Sequence, residues 1–317
     1  MIRPASPTAE PLRVLMVRLD GLGDTVLTTP LLRALREAGH EVTVIASPLG
    51  AQVLHGHPGV SALIVHDPRT STLREKIRLS GELRGRFDAA LTVTEKMWGY
   101  LWCNAAPTRI GFWAGAAQPV KAVALMGALT HRIPVQPVET HEVERIMLLG
   151  APLGVAGPPG PLWLGIDLPE RRDDAVAFHL SPKWLRDGCD HEWVRSLVEA
   201  LGPVRISAGP SEAAWADALL ASVPGAERIP TGSFADWCRG LASCRLLITT
   251  DTGASHVGAA CGLPVVDLFS SEGAEHAVPR WKPWGVPSQI VLRAPGEARR
   301  AYEEILGASR NPSLHVR

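Results

Sequence analysis

The sequence carries a carboxylate at the end of a glycine turn near its start. The stretch "RLDGLGDTVLTTP" follows the apolar run "LRVLMV" and leads into a helical pattern, with Gly21 and Gly23 ahead of Asp24. Glycines let the chain turn tightly and let a ligand approach the backbone. A pyrophosphate would be held by the N–H groups of the helix start, where Asp24 would repel it, and Val26 replaces the third glycine of a dinucleotide turn. Asp24 is therefore predicted either to cap the helix or to act as a base in proton transfer.

The stretch "LLITTDTGASHVGAACGLPVVDLF" offers the opposite chemistry. A predicted strand ends at Asp251, and small residues then open a helix that has no acid in its first turn. The N–H groups and hydroxyls of Thr252, Gly253 and Ser255, with His256 as a further donor, are predicted to converge on a phosphate. The alternative is an ordinary strand–helix connection that Asp251 caps. A base that faces an anion site is what group transfer from a nucleotide-linked donor requires.

Short apolar runs alternate with amphipathic stretches along the chain, which predicts βαβ units and mostly parallel sheets. The alternation stops in residues 150–170, which are rich in glycine and proline and are predicted to link two domains. The predicted fold class is α/β, with Rossmann-like doubly wound domains over residues 12–153 and 172–309, whose ligands gather at the carboxyl ends of the strands. The predicted strands are "RVLMVRL", "EVTVIA", "SALIVH", "DAALTV", "TRIGF", "AVAFHL", "PVRISA", "LLITT" and "PVVDLF", and the predicted helices include 25–37, 73–83, 192–200, 212–222, 234–242 and 296–306.

Composition excludes several classes of partner. The 317 residues carry 32 basic and 32 acidic side chains, without the basic excess of a nucleic-acid-binding protein. The five cysteines are scattered and form no C-x-x-C pair. Neither a disulfide framework nor a zinc site is therefore predicted, and a reducing cytosol fits best. No apolar run is long enough to span a bilayer.

Three further segments could have either a structural or a functional role. The arginines of residues 69–86 are predicted either to line a solvated helix face or to meet an anionic partner. The apolar stretch Pro119–Leu129 is predicted either to be a core helix or to contact a membrane or a lipid acceptor. The acids of "EKM" and "THEVE", together with His141, are isolated and are expected at the surface.

Three stretches together resemble a known family. "RLDGLGDTVLTTPLLRALRE", "HEVERIMLLGAPLG" and "DTGASHVGAACGLPVVDLFSS" are similar to glycosyltransferase family 9, the heptosyltransferase-like enzymes of bacterial envelope synthesis, from about Arg13 to Leu306. The resemblance implies the GT-B fold with an interdomain cleft, and an inverting transferase that needs neither a metal nor a cofactor. It implies a nucleotide-sugar donor, ADP-linked in the best-known members, and a lipid-linked or polysaccharide acceptor such as lipopolysaccharide. The expected setting is cytoplasmic, peripheral at the inner face of the cytoplasmic membrane.

The resemblance also assigns roles to residues. Asp24 matches the catalytic base, with Gly23 in the turn beside it, and Lys183 or its neighbour Arg186 is expected on the donor phosphates. Glu212 is expected on the nucleoside. Asp251, Thr252, Gly253 and His256 match the motif that holds the donor diphosphate, and Ser255 lies inside that motif.

Three alternatives have different requirements. A nucleotide-sugar epimerase would need further acid and base residues. A dinucleotide-dependent oxidoreductase is disfavoured by Asp24. A non-catalytic sugar-nucleotide-binding protein would leave Asp24 no purpose beyond capping.

Overall fold

A computed structural model of the chain describes residues 10–113, 127–170 and 172–311. Residues up to Gly165 form one unit, and residues from Ile166 form the other. Each unit contains a six-stranded sheet whose neighbouring strands all run parallel. The central strands are buried along almost their whole length, as "RVLMVR" illustrates with five buried residues out of six. Continuous apolar runs of this kind are typical of parallel strands that helices cover on both faces.

The N-terminal unit has the strand order β3-β2-β1-β4-β5-β6. Its core lies between the sheet and the helices that connect successive strands. The elements are β1 (Arg13–Arg18), α1 (Leu22–Val26), α2 (Thr29–Glu37), β2 (Glu41–Ala46), α3 (Pro48–Leu54), β3 (Ala62–Val65), α4 (Leu73–Leu83), β4 (Ala89–Thr92), α5 (Met97–Trp102), β5 (Thr108–Trp113), β6 (His131–Pro134) and α6 (Glu142–Met147), with 3-10 turns at Cys103–Ala105 and Leu148–Leu153.

The C-terminal unit has the strand order β12-β11-β10-β7-β8-β9. Its core is centred on the same kind of sheet, with helices packed against the strands. The elements are β7 (Val176–His179), α7 (His191–Ala200), β8 (Val204–Ser207), α8 (Ala213–Ser222), β9 (Glu227–Arg228), α9 (Phe234–Ala242), β10 (Leu246–Thr250), α10 (Gly253–Ala260), β11 (Val265–Ser270), α11 (Ala274–Trp281), β12 (Ser288–Arg293) and α12 (Ala298–Ser309), with 3-10 turns at Pro182–Trp184 and Pro210–Glu212.

Both sheets reverse their strand order beside the first strand of the unit. Strand β1 lies between β2 and β4, and β7 lies between β8 and β10. Connections therefore leave in opposite directions from β1 and β4, and likewise from β7 and β10. At such a switch point the loops after the two strands separate and leave a crevice at the carboxyl edge. The structure thus gives each unit one position where polar loop residues can meet a ligand.

The predicted helix over residues 25–37 is divided in the structure. Helix α1 ends at Val26, and α2 begins at Thr29. Pro30 is in the first turn of α2, where its missing N–H costs nothing. In one continuous helix its ring would clash with the carbonyl of Val26; instead the Thr29 hydroxyl donates to that carbonyl at 2.7 Å. The proline therefore separates the turn that carries Asp24 from the longer helix.

The predicted linker belongs in part to the N-terminal unit. The Trp163 N–H donates to Thr29 Oγ1 at 2.9 Å, and the Trp163 carbonyl oxygen lies 2.8 Å from His57 Nε2. Leu162 and Leu164 are buried on either side. The chain is thus fixed to the first unit almost as far as Gly165, beyond the expected boundary at residue 153.

The structure bears on two further expectations. Among the described residues, no helix combines the length and apolar character that crossing a bilayer would require. Most of the apolar stretch Pro119–Leu129 lies outside the described residues, so its two interpretations stay open.

Candidate active site

Asp24 lies at the carboxyl edge of the N-terminal sheet, in the short helix that follows β1. Its Oδ2 accepts the N–H of Gly21 at 3.3 Å, so the carboxylate does cap the helix start. Its Oδ1 lies 3.3 Å from the Arg18 guanidinium, and a third of the side chain is exposed. Gly23 is buried in α1 and not in a left-handed turn. The carboxylate is therefore both a cap and accessible from solvent.

The buried side chain of Arg18 fixes the turn that carries Asp24. Its side chain is 3% exposed, and it donates to the carbonyl oxygen of Asp24 from Nε at 3.1 Å and Nη2 at 2.8 Å. It also donates to the carbonyl oxygen of Val93 and pairs with Asp20 at 3.2 Å. A buried guanidinium is tolerated only when its N–H groups are satisfied in this way. Arg18 thus fixes the backbone and one carboxylate oxygen of Asp24.

The pKa of the Asp24 carboxyl is raised above its ordinary value. Burial is the main cause, the Arg18 charge opposes it, and the negative charges of Asp20 and Glu142 add to it. A base gains strength as its pKa approaches the working pH, provided that it is still ionised. In this environment the Asp24 carboxylate is therefore a stronger base than an ordinary surface carboxylate.

Lys96 stands across the switch point from this turn. It follows β4, and its Nζ lies 3.0 Å from Asp20 Oδ1 and donates to the Leu19 carbonyl oxygen at 2.7 Å. About half of its side chain remains exposed. The sequence analysis treated "EKM" only as a surface segment and missed this contact. No local signal could reveal it, because the two partners are far apart in the chain.

The expectation that His141 and Glu142 are surface residues is wrong. His141 is 3% exposed and Glu142 is 4% exposed. Buried Arg145 pairs with Glu142 and lies 3.2 Å from Glu95 Oε1, with its guanidinium 4.8 Å from the Phe112 ring. The spacing of Glu142 and Arg145, three residues apart on a helix, was the available signal for this ion pair. Their burial follows from the packing of α6.

The C-terminal switch point also joins a lysine to an aspartate. Lys183 follows β7, and its Nζ lies 2.8 Å from Asp251 Oδ2 and also contacts the Asp251 carbonyl oxygen. Both side chains remain partly exposed. Arg186, the alternative cation, is exposed and beyond the turn that carries Lys183. The structure therefore brings Lys183, rather than Arg186, to Asp251.

Arg293 holds the Lys183 turn in place. It is 3% exposed and donates to the carbonyl oxygens of Lys183 at 2.8 Å and Trp184 at 3.0 Å. It also pairs with Asp187 at 3.1 Å, a residue whose φ of 55° is in the left-handed region. Sequence reasoning missed Arg293, because its partners are more than a hundred positions earlier in the chain.

The start of α10 is open in a way that the start of α1 is not. Thr252 is the N-cap residue, and its side chain makes no capping hydrogen bond. The first N–H groups of a helix have no partners within the helix and attract anions. Gly253 begins the helix, and His256 is buried one turn further along, 6.4 Å from the Trp281 ring. Asp251 bonds Lys183 instead of capping the helix, so the capping alternative for Asp251 is not what the structure shows.

Ser255 does not offer its hydroxyl at this helix start. The side chain is 1% exposed, and Oγ donates to Asp267 Oδ2 at 2.5 Å inside the unit. Its backbone N–H donates to the Thr252 carbonyl oxygen at 3.1 Å. The predicted convergence of hydroxyls on a phosphate is therefore wrong for Ser255, since its oxygen is committed to a buried carboxyl.

Asp267 is a buried acid in the middle of β11 that sequence reasoning passed over. Burial raises its pKa to about 8; the hydrogen bond from Ser255 and the charge of Lys183 oppose this, and the charge of Asp251 adds to it. Its Oδ1 has no hydrogen-bond partner among the described residues. The signal in the sequence was an aspartate inside the apolar run "LPVVDLF". A carboxyl of this kind is protonated, and therefore neutral, at neutral pH.

Glu212 lies at the carboxyl edge of the C-terminal sheet, as Lys183 and Asp251 do. It ends the 3-10 turn that follows β8 and precedes α8, and it is partly exposed. Because β10, β7 and β8 are adjacent, Asp251, Lys183 and Glu212 follow three neighbouring strands.

Within the described part of the chain, no group of three His, Cys, Asp or Glu residues is arranged to hold a metal ion.

Residues 194–306 match the model of glycosyltransferase family 9 (heptosyltransferase). This segment includes Glu212 and the whole of α10. This part of the C-terminal unit is therefore similar to glycosyltransferase family 9. The resemblance predicted from the sequence motifs is confirmed for these residues. No curated protein sequence matches the chain significantly.

Solved structures extend the likeness, in fold, to nearly the whole chain. Escherichia coli heptosyltransferase WaaC, solved with ADP-2-deoxy-2-fluoro heptose, is 22% identical, with a TM-score of 0.74 over 93% of this chain and 99% of that one. Escherichia coli ADP-heptose LPS heptosyltransferase II is 17% identical, with a TM-score of 0.72 over 94% and 98%. UDP-GlcNAc 2-epimerase from Neisseria meningitidis reaches 0.55 at 11% identity over 95% and 92%. The predicted fold class, α/β of the GT-B type, is confirmed.

Proposed function

We propose that the chain is an inverting glycosyltransferase that moves a sugar from a nucleoside diphosphate to a cell-envelope glycan or glycolipid. The observation that carries this proposal is the family 9 match across the residues that form the open start of α10. Asp24 and its neighbours supply the second requirement, a partly exposed carboxylate with a raised pKa.

In this proposal the C-terminal unit takes the donor. The diphosphate approaches the N–H groups at the start of α10, with Lys183 as the cation beside it. Its negative charge increases as the bond between the sugar and the phosphate oxygen breaks, so fixed donors there favour the leaving group. Asp251 keeps Lys183 oriented through their 2.8 Å contact. Glu212 is available to the nucleoside from the next strand along.

Asp24 takes the role of general base. An acceptor hydroxyl attacks the anomeric carbon from the side opposite the diphosphate, and its proton passes to an Asp24 carboxylate oxygen. One C–O bond forms as another breaks, so a single displacement inverts the configuration. The ion pair with Arg18 fixes the carboxylate, and partial burial raises its basicity.

The finer identity of the substrates follows the family. WaaC was solved with ADP and with an ADP-heptose analogue, which supports an ADP-linked heptose as the donor. A lipid-linked or polysaccharide acceptor, with lipopolysaccharide core as the first candidate, would set the reaction in the cytoplasm at the inner face of the membrane. An epimerase is the second candidate, because UDP-GlcNAc 2-epimerase has a related fold.

A thermal-shift panel with ADP, UDP, GDP and NAD tests the donor half of the proposal. A ligand at about 100 times its dissociation constant stabilises a folded protein by about 2.7 kcal/mol, which raises the melting temperature by roughly 2–4 °C per kcal/mol for a unit of about 150 residues. A shift with ADP is expected. A shift with UDP or GDP alone would contradict the ADP assignment, and a shift with NAD alone would contradict the transferase.

A transfer assay distinguishes the enzyme from its alternatives. Incubation with ADP-heptose and a truncated lipopolysaccharide acceptor should release ADP and extend the acceptor. Conversion of the sugar nucleotide to a stereoisomer without acceptor would identify an epimerase. Tight ADP binding with no turnover on any envelope acceptor would identify a binding protein.

A further inference from the structure

Helix α4 exposes two large apolar side chains one turn apart. Leu73 is 63% exposed and Ile77 is 59% exposed, whereas Leu79 and Leu83 on the opposite face are buried. At about 100° per residue, Leu73, Ile77, Arg74 and Arg78 follow one another around the outward side of the helix. The helix therefore has a second apolar strip that the core does not use, bordered by arginines.

Helix α5, which packs against α4, exposes a second apolar pair. Met97 is 46% exposed and Leu101 is 37% exposed, again one turn apart. The two helices pack together, with Lys76 Nζ 5.4 Å from the Trp98 ring and the Trp102 indole N–H donating to the Lys76 carbonyl oxygen. Four of the ten large apolar side chains that are exposed in the described residues belong to these two helices. The α4–α5 surface is defined here as Leu73, Arg74, Ile77, Arg78, Met97 and Leu101.

The charge around the α4–α5 surface is positive, although the chain is neutral. Residues 67–86 carry six basic and three acidic side chains, against 32 of each in the whole chain. Each of the three acids is engaged: Asp67 pairs with Arg69, Glu75 caps the helix at Thr72, and Glu82 pairs with Arg78. The remaining cations, Arg74, Lys76, Arg84 and Arg86, have no acidic partner in this segment.

The α4–α5 surface begins at the catalytic edge of the N-terminal sheet. Lys96 is the N-cap residue of α5 and contacts Asp20 in the loop that leads to Asp24. Helix α4 leads back into β4, so its first turn, with Leu73, lies toward the carboxyl edge as well. The surface is thus next to the side of the sheet where an acceptor would enter.

We propose that the α4–α5 surface docks the enzyme on a bilayer that contains anionic lipids. Its leucine, isoleucine and methionine side chains enter the headgroup layer, and the arginines contact lipid phosphates, as in interfacial amphipathic helices. A second copy of the chain is disfavoured, because a two-fold contact would set one basic border against the other. Docking is independent of the reaction assigned above and would hold even if the donor assignment failed.

Vesicle sedimentation with the full chain tests this proposal without any substrate. The vesicles are phosphatidylcholine alone, or phosphatidylcholine with one third phosphatidylglycerol. Wild type is expected to bind the anionic vesicles and to release with added salt. The variant Arg74→Gln/Arg78→Gln should lower the partition coefficient roughly tenfold or more, since each basic side chain near an anionic surface contributes about fivefold. Leu73→Ser/Ile77→Ser should lower it at least about tenfold.

Matched controls change exposed residues of the same kind elsewhere. Val135→Ser/Val138→Ser removes two exposed apolar side chains, and Arg299→Gln/Arg300→Gln removes two exposed charges. Both should bind like wild type, and all variants should melt like wild type by circular dichroism. Failure of wild type to bind anionic vesicles would overturn the proposal, as would equal losses in the controls. Unchanged binding by Leu73→Ser/Ile77→Ser would overturn it too, as would a dimer that this variant dissociates.

Discussion

The two units build the same position of their sheets from similar parts but follow it with different helix starts. Each places a Lys–Asp ion pair across its switch point: Lys96 and Asp20 at 3.0 Å in the first unit, Lys183 and Asp251 at 2.8 Å in the second. The strand roles are exchanged. In the N-terminal unit the first strand supplies the aspartate and the fourth supplies the lysine, and in the C-terminal unit the reverse holds.

The difference that matters is the helix that follows. Helix α1 carries Asp24 inside its first turn, where the carboxylate accepts the Gly21 N–H and occupies the anion position itself. Helix α10 has no acid in its first turn, and its N-cap side chain makes no capping hydrogen bond. One fold element therefore holds a fixed carboxylate in one unit and leaves the helix start open in the other.

Of the changes that separate the two helix starts, removal of the Asp24 charge should have the largest effect on the transfer rate. In Asp24→Asn the amide can still contact Gly21, so the fold and ADP affinity should persist while transfer falls by roughly two to four orders of magnitude, the share of a general base. Asp20→Asn, which alters the neighbouring carboxylate, should cost far less. Steady-state kinetics and a melting curve of each variant give the comparison. Full activity in Asp24→Asn would reduce Asp24 to a helix cap.

Loss of the Lys183 charge should have the second largest effect, on the affinity for the donor. In Lys183→Met the donor affinity should fall by about 10- to 100-fold, because a hydrogen bond to a charged group contributes about 1.5–3 kcal/mol. Titration calorimetry with ADP measures the change. Arg186→Gln is the matched control, since Arg186 is exposed and apart from Asp251. A larger loss in Arg186→Gln would exchange the roles of the two cations.

Asp267 should make stability depend on pH in the C-terminal unit. Its pKa is about 8 in the folded chain, against about 3.9 when unfolded. Between these values the unfolded chain binds fewer protons than the folded one, so stability falls as pH rises, by about 2 kcal/mol from pH 6 to pH 8. Asp267→Asn should lose this slope in urea unfolding at the two pH values. Asp88→Asn is the control: the pKa of Asp88 is lowered to about 2, so its carboxyl does not titrate between pH 6 and pH 8. An unchanged slope in Asp267→Asn would show that Asp267 is ionised at both pH values.

A smaller and sharper test converts α10 toward α1. Thr252→Asp puts a carboxylate at the helix start, which is a favoured N-cap and should leave stability equal or slightly higher. The same charge should weaken ADP binding by roughly tenfold, since it occupies the anion position. Thr252→Ser keeps a neutral cap and should bind ADP nearly as wild type does. Equal affinity in Thr252→Asp would mean that the diphosphate does not approach this helix end.

Local sequence determined the elements that carry both sites. The buried central strands read as unbroken apolar runs, and the turns after them contain the glycines and capping residues that such junctions need. The position of Asp24 at a helix start and of Thr252 at another follows from neighbours within four residues. For this reason the strand–turn–helix frame and most of the candidate residues could be named from the sequence.

The tertiary structure decided what the local pattern could not specify. The strands absent from the sequence prediction are β6, β9 and β12, and all three are at sheet edges, where polar residues are tolerated and the apolar run is short or missing. Lys96, Arg293 and the burial of Glu142 depend on partners that are distant in sequence or on how a helix packs. Ser255 turned inward because Asp267, on the next strand, holds its hydroxyl. Contacts of this range exist only after the strands have paired, so sequence periodicity predicts the frame, and the packing of that frame decides which polar atoms remain available for chemistry.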